Sequence, residues 1–306
     1  MPLWGILLSF FTAALWAASP ILIDRGLACS RCTVREINPF RAASFLVCSF
    51  VIALAVTHGH IAPIYSLKGW LYIIVGIVFS YSLGDIIYFA AIREIGVSMA
   101  VPVANGYPVL AIFTSAMMLG EPVTAQLIFG VVIVVGGILL IRFGGAASAD
   151  TGIAKRSGRT LLKGFSFAIL AGVMWSISAP LIKVAMVETR LAPVEITFYR
   201  SLSFIFVAAA ERFVLVRSKV PTVPLARLPR RSVVCFLSAG CVGLSLGSIC
   251  YATCLHSMPV AAVTAITATS PFIAALFGHF VLKDRLAVPQ WLGVLCIISG
   301  SVVIGI

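Results

Sequence analysis

The sequence predicts an all-α membrane protein of ten transmembrane helices, arranged as two inverted five-helix repeats. Three observations lead there. Hydrophobic residues fill 61% of the 306 positions and charged residues only 10%, whereas ordinary soluble domains carry about 25% charge. The apolar residues gather into ten segments, each near the roughly 20 residues that a helix needs to cross about 30 Å of hydrocarbon. Landmarks of the first half also return in the second. Trp16 and Arg41 recur 159 residues later as Trp175 and Arg200. Tyr88, Pro108, Glu121 and Gly130 recur at an offset of 163 as Tyr251, Pro271, Asp284 and Gly293. Five segments per half is an odd number, so the second copy enters the membrane from the opposite side.

In chain order the segments are 3–23, 38–57, 69–91, 96–119, 123–142, 162–186, 195–216, 232–255, 259–282 and 286–306. The first lacks a basic start and has a counterpart in the repeat, so it reads as a span and not as a cleaved signal. Residues 1–143 form the first repeat and 162–306 the second. Between them, 144–161 is small, polar and flexible, and reads as a linker on the cytoplasmic side.

Segment three carries Asp85 at membrane depth. A carboxylate there costs roughly 2.5–3.5 kcal/mol on insertion scales, so it must face a cavity or a partner. Tyr88 shares its helical face. Ser248 and Tyr251 occupy the aligned positions of segment eight. Asp85 reads as a counter-ion for an amine-bearing solute, as a proton carrier in antiport, or as a buried carboxyl paired with Arg41.

Segment four is interrupted by Pro102, Asn105, Gly106 and Pro108, and segment nine by Pro259 and Pro271. Matched interruptions in two halves point to a binding site, and Tyr107 adds a hydroxyl beside the first. Trp16 and Trp175 sit in mid-segment, away from the interfacial belts; an indole there lines a cavity or packs against a neighbouring helix. The substrate-binding candidates are therefore Trp16, Asp85, Tyr88, Asn105, Tyr107, Trp175, Ser248 and Tyr251. Arg41 and Arg200 head segments two and seven, where they read as residues snorkelling to opposite interfaces, with gating salt bridges as the alternative.

The formal charge of +12 is informative through its placement. Most basic residues fall in the five loops on the face opposite the termini, while Lys68, Lys183, Arg190 and Arg200 lie on the other. The positive-inside rule puts the crowded face in the cytoplasm and both termini outside the cell membrane. The charge thus speaks for membrane lipids and not for nucleic acid. The stretch from Arg217 to Arg231 is an orientation signal or a contact for anionic headgroups. Six of the eight cysteines lie inside apolar segments, and the Cys29/Cys32 pair has no second Cys/His pair nearby, so neither a disulfide framework nor a metal site is expected. The absence of a nucleotide-binding loop argues against ATP-driven pumping and gives no cofactor to expect.

These residues together resemble the drug/metabolite transporter superfamily, in particular its EamA-type ten-helix exporters. The resemblance covers nearly the whole chain. It rests on Trp16 and Pro20, with Trp175 and Pro180; on the arginine starts of segments two and seven; and on Gly84 with Tyr88, and Gly247 with Tyr251. It continues through Pro108 followed by Leu119-Gly120-Glu121, Pro271 followed by Leu282-Lys283-Asp284, and the closing Gly130, Gly136 and Gly137, or Gly293 and Gly300. It implies a basket of two five-helix repeats around a central cavity, lined by segments 1, 3, 4, 6, 8 and 9. Many such exporters look basic on the face bearing the termini; this chain is basic on the other.

The leading functional reading is a secondary transporter for a small organic solute, an amino acid or related metabolite, exported by alternating access, with proton coupling through Asp85 as one form of it. Two rivals belong to other classes. An intramembrane aspartyl enzyme would use Leu83-Gly84-Asp85, but it needs a second carboxylate; Asp24, Asp150 and Asp284 fall in or beside loops, and no Glu reads as deep in a helix. The other rival is a receptor or scaffold without flux.

Overall fold

The computed structural model describes residues 2–30, 32, 34–95, 100, 103–146, 158–217, 228–270, 273 and 288–305. Pro102, Pro271, Asp284, the second half of segment nine apart from Ile273, and the centres of the linker and of the basic stretch lie outside these residues. Among the described residues the chain is helical, without strands. We label its helices α1 (Leu3–Ala28), α2 (Asn38–Val56), α3 (Leu67–Ile95), α4 (Tyr107–Leu119), α5 (Ala125–Ala146), α6 (Gly158–Thr189), α7 (Pro193–Arg217), α8 (Arg230–Ser257), α9 (Val260–Thr267) and α10 (Val288–Gly305).

Five of these, α1, α2, α3, α6 and α8, are long and apolar enough to cross a membrane. Their outward faces carry large apolar side chains, among them Leu7, Phe11, Val47, Leu71 and Ile169. Water would penalise such a surface, whereas acyl chains accept it. The chain is a multi-pass membrane protein. Helix α7 spans 25 residues and holds Glu195, Arg200, Glu211, Arg212 and Arg217.

Two helices widen in the middle. α3 passes through a π-helical turn at Val78–Ser82 and α8 through one at Gly240–Leu246. Such a turn disturbs the backbone ladder and lets carbonyls accept bonds from elsewhere. Four side chains use them. Ser178 and Ser19 donate to the carbonyls of Gly76 and Ala239, at 3.0 and 3.1 Å. The indoles of Trp175 and Trp16 donate to Ser80 and Gly243, at 3.4 and 3.1 Å. Glycine makes the approach possible. A Cβ on Gly84 would stand 2.8 Å from the Trp175 Nε1, and one on Gly247 2.7 Å from the Trp16 Nε1.

Helices α5 and α10 pair backbone to backbone. A Cβ on Gly137 would meet the Gly293 carbonyl at 2.6 Å, and one on Gly300 the Gly130 carbonyl at 2.8 Å. Small residues permit this close packing where no hydrophobic force separates helix from lipid. The pair lies outside the cavity lining and forms a buttress for α9 and α4 through Leu127, Val131, Val134 and Ile297.

Contacts between chain-distant segments define two faces. On the terminal face, Ala62 meets Glu195, and Glu121 meets Lys183 and Val260. On the opposite face, called here the basic face, Glu36 meets Arg212 and Glu94 meets Lys163.

Candidate functional site

A cavity of about 710 Å³ lies between the two halves. It is lined from α1, α3, α4, α6, α8, α9 and the residues just after α9, as the sequence leads one to expect, and also by one arginine each from α2 and α7. Towards the basic face the lining reaches the last turns of α1 and α3, at Leu27 and Ile92, and the first turn of α2, at Arg41. Towards the terminal face it ends at Ile182, Arg200 and Tyr251, roughly two helical turns short of the helix ends. The cavity therefore runs to the basic face and stops before the other.

Its walls are two aromatic cradles. Trp16 packs on Tyr251 with ring centres 5.0 Å apart, and Trp175 packs on Tyr88 at the same spacing. Tyr107 closes on Trp175 edge-on at 6.0 Å. The Trp16 N–H donates to its π-turn carbonyl, and the Trp175 N–H faces both the Ser80 carbonyl and the Asp85 carboxylate, so the rings are held in place as apolar walls. Asn105 occupies the turn that precedes α4, and Thr267, Ala268 and Ser270 stand where α9 breaks at the aligned position. Asp85 is half-buried in the wall, beside the Trp175 indole and within reach of the charges of Arg41 and Glu211.

Seven of the eight residues singled out from the sequence thus face one space: Trp16, Asp85, Tyr88, Asn105, Tyr107, Trp175 and Tyr251. Ser248 is placed behind the wall. It is fully buried and shares a 2.9 Å hydrogen bond with the Tyr81 hydroxyl, and Tyr81 itself lines the cavity.

Two sequence expectations need correction. Arg41 and Arg200 do not snorkel to the interfaces. They are 7% and 3% exposed and both line the cavity. Arg41 donates to Asn38 Oδ1 at 3.0 Å, and Asn38 in turn donates to Glu211 at 3.0 Å. Arg200 lies over the Tyr81 ring at 5.5 Å. The second correction is Glu211, a carboxylate inside α7 that receives Ser82 at 2.5 Å as well as Asn38. The signal available in the sequence was the recurrence of an arginine at one offset in both halves; a residue needed only at an interface is not tied to a repeat position in this way.

The terminal face is closed by ionic and capping bonds. Glu121 pairs with Lys183 at 2.7 Å and accepts the Val260 backbone N–H at 2.8 Å. A carboxylate at a helix N-terminus satisfies an orphan donor and suits the helix dipole. Lys183 also donates to the Met258 carbonyl at 2.8 Å. Glu195 accepts the N–H groups of Ala62 and Ala192, both at 2.8 Å.

The EamA-like transporter family model matches residues 3–143 and again 162–306. A protein of Archaeoglobus fulgidus named as an uncharacterized transporter is 22% identical over 296 residues, covering 96% of this chain and 95% of its own. A solved crystal structure of a protein 15% identical in sequence superposes with a TM-score of 0.79, covering 99% of this chain and 98% of the other. At that identity the likeness speaks for the fold alone.

Proposed function

The chain belongs to the EamA-like transporter family, and from that premise we propose that it is a secondary transporter exporting a small organic solute, an amino acid or related metabolite, by alternating access. The observation that carries this reading is a cavity walled by matched aromatic pairs from both halves and closed on one face only.

The matched bonds support an inverted duplication, with units 1–143 and 162–306 joined by 144–161. Trp16 to Gly243 and Trp175 to Ser80 are the same bond read in opposite halves, as are Ser19 to Ala239 and Ser178 to Gly76. Rocking one unit against the other exchanges the open and closed faces around a fixed site. In the conformation seen here the solute enters from the basic face, which the charge rule assigns to the cytoplasm of a cell-membrane protein with both termini outside. Release to the terminal face requires the bonds of Glu121 to Lys183 and Val260 to part.

Trp16, Tyr251, Trp175, Tyr88 and Tyr107 hold the apolar body of the solute, Asn105 offers its amide at the helix break, and Asp85 receives an ammonium group or a proton. Ser248 positions Tyr81. The test is counterflow. Proteoliposomes loaded with unlabelled amino acids should accumulate the labelled form above the level of protein-free vesicles. Exchange at the protein-free level for every amino acid tried would remove the reading.

A further inference from the structure

Four buried or half-buried cations lie in the described interior, and three have a route to a carboxylate. Lys183 meets Glu121, Arg212 meets Glu36, and Arg41 reaches Glu211 through Asn38. Arg200 is the exception. It is the most deeply buried of them at 3% exposure, and both its Nε and its Nη1 have no hydrogen-bond partner, whereas Arg41 leaves its Nε so and bonds through Nη1 to Asn38. No ion pair to it is present among the described residues; it lies over the face of Tyr81 at 5.5 Å, with the Tyr251 phenol within reach of its charge. Yet it lines the cavity at the end remote from the mouth.

Buried polar groups are otherwise almost always satisfied, and an orphan points to something that arrives from outside the fold. A guanidinium offers two parallel N–H donors that match a carboxylate or a phosphoryl group, and burial strengthens the pairing. The cavity's charged lining is Arg41, Arg200 and Asp85, a net excess of one positive charge.

We propose that Arg200 receives an acidic group, carboxylate or phosphoryl, of the transported solute, whose apolar body lies between the Trp16–Tyr251 and Trp175–Tyr88 cradles. The cargo thereby supplies the counter-charge that the protein withholds. This deepens the transporter reading and rests on it for the word cargo; the anion site itself does not need flux. Asp85, nearer the mouth, is then free for a cationic group on the same solute, so a zwitterion satisfies both.

The test uses the whole protein in detergent and three probes of one shape: phenylacetate, phenyl phosphate and the neutral phenylacetamide. Binding is read by quenching of tryptophan fluorescence and by calorimetry. The acids should bind at least about ten-fold more tightly than the amide, the size expected of one buried charge-assisted pair. In Arg200→Gln the acids should fall to the level of the amide, while the amide is unchanged. If that variant does not fold, Arg200→Lys should weaken both acids several-fold and leave the amide alone. Equal binding of acid and amide by the native protein overturns the proposal, as does undiminished acid preference in the variant. Occupation by phosphatidylglycerol in place of both soluble acids also overturns it. Counterflow of phenylacetate separates the two claims. Acid-selective binding without exchange removes the transporter reading and keeps the anion site, whereas exchange of the amide as fast as the acid does the reverse.

Discussion

The two halves of the molecule agree in their aromatic walls and disagree in their charges. Each places a tryptophan against the other half's tyrosine, and each anchors that indole on a π-turn carbonyl. Where the first half has Asp85 the second has Ser248, and where it has Asn105 the second has Ala268. The arginines match in position and differ in circumstance: Arg41 is bonded to Asn38, while Arg200 lies over the Tyr81 ring near the Tyr251 phenol. The lesson is a division of labour. Features present twice build the aromatic walls of the cavity. Features that differ between the halves make its two ends unlike, with a carboxylate in one wall and, at the closed end, an arginine that has no carboxylate partner among the described residues.

The comparison is broken most severely at Asp85. With the amino acid that gives the strongest counterflow, Asp85→Asn should reduce exchange by about ten-fold or more, the loss expected when a charged contact to cargo disappears. Ser248→Ala should leave it within about two-fold, since it removes one neutral hydrogen bond behind the wall. Equal losses in the two variants would refute the asymmetry.

Next in size come the glycines beneath the indoles. Gly84→Val and Gly247→Val each force a side chain into a tryptophan, an overpacking that costs about 1–3 kcal/mol or more. Both should lower the thermal midpoint of the purified protein, whereas Gly136→Ala, which meets open space, should not. A loss in one half only would mean that the matched bonds are not equivalent.

A subtler shift is expected at the closed face. Glu121→Gln removes the ion pair to Lys183 and weakens the cap on α9; losing a charged hydrogen bond of roughly 1.5–3 kcal/mol moves a two-state balance by about ten-fold or more. In a cysteine-free background, Ala179→Cys in the cavity should then be labelled faster by an impermeant thiol reagent added from the terminal side. Labelling at the native rate would show that the Glu121 bonds do not hold the gate.

The smallest effect sharpens the symmetry itself. Trp16→Phe and Trp175→Phe each delete an indole N–H and keep the ring wall, which should cost about 1 kcal/mol of stability for the carbonyl bond lost. Denaturation of Trp175→Phe should shift at least as far as that of Trp16→Phe, since its N–H also faces Asp85, and a smaller shift would mark the Trp16 cradle as structurally dominant.

Much of the fold was legible because a bilayer imposes a simple length rule. Runs of apolar residues could be counted, and α1, α2, α3, α6 and α8 follow the predicted segments within a few residues at most ends. The aromatic lining was legible because mid-segment tryptophans and matched helix breaks are unusual in lipid. The basic residues were legible as an overall pattern and not one by one. Arg41 begins a helix, as a snorkelling residue does; it bonds Asn38 one turn earlier on α2, and only the packing of α7 on α2 brings Glu211 to Asn38. Glu211 itself reads as part of a helix end, because nothing in its own segment reveals that Ser82 and Asn38 will surround it.

The sequence alone determined that this chain crosses a membrane many times, that its halves repeat, and which aromatic residues recur, because hydropathy and periodicity are local properties. Only the tertiary structure decided that Arg200 would be buried without a counter-ion, that Ser248 would stand behind Tyr81, and that the terminal face would be the closed one. Those outcomes depend on which distant groups meet. Arg41 finds Asn38 on its own helix, but the Glu211 that Asn38 reaches, and the Tyr81 ring under Arg200, lie far away in the chain, and no local pattern carries that information.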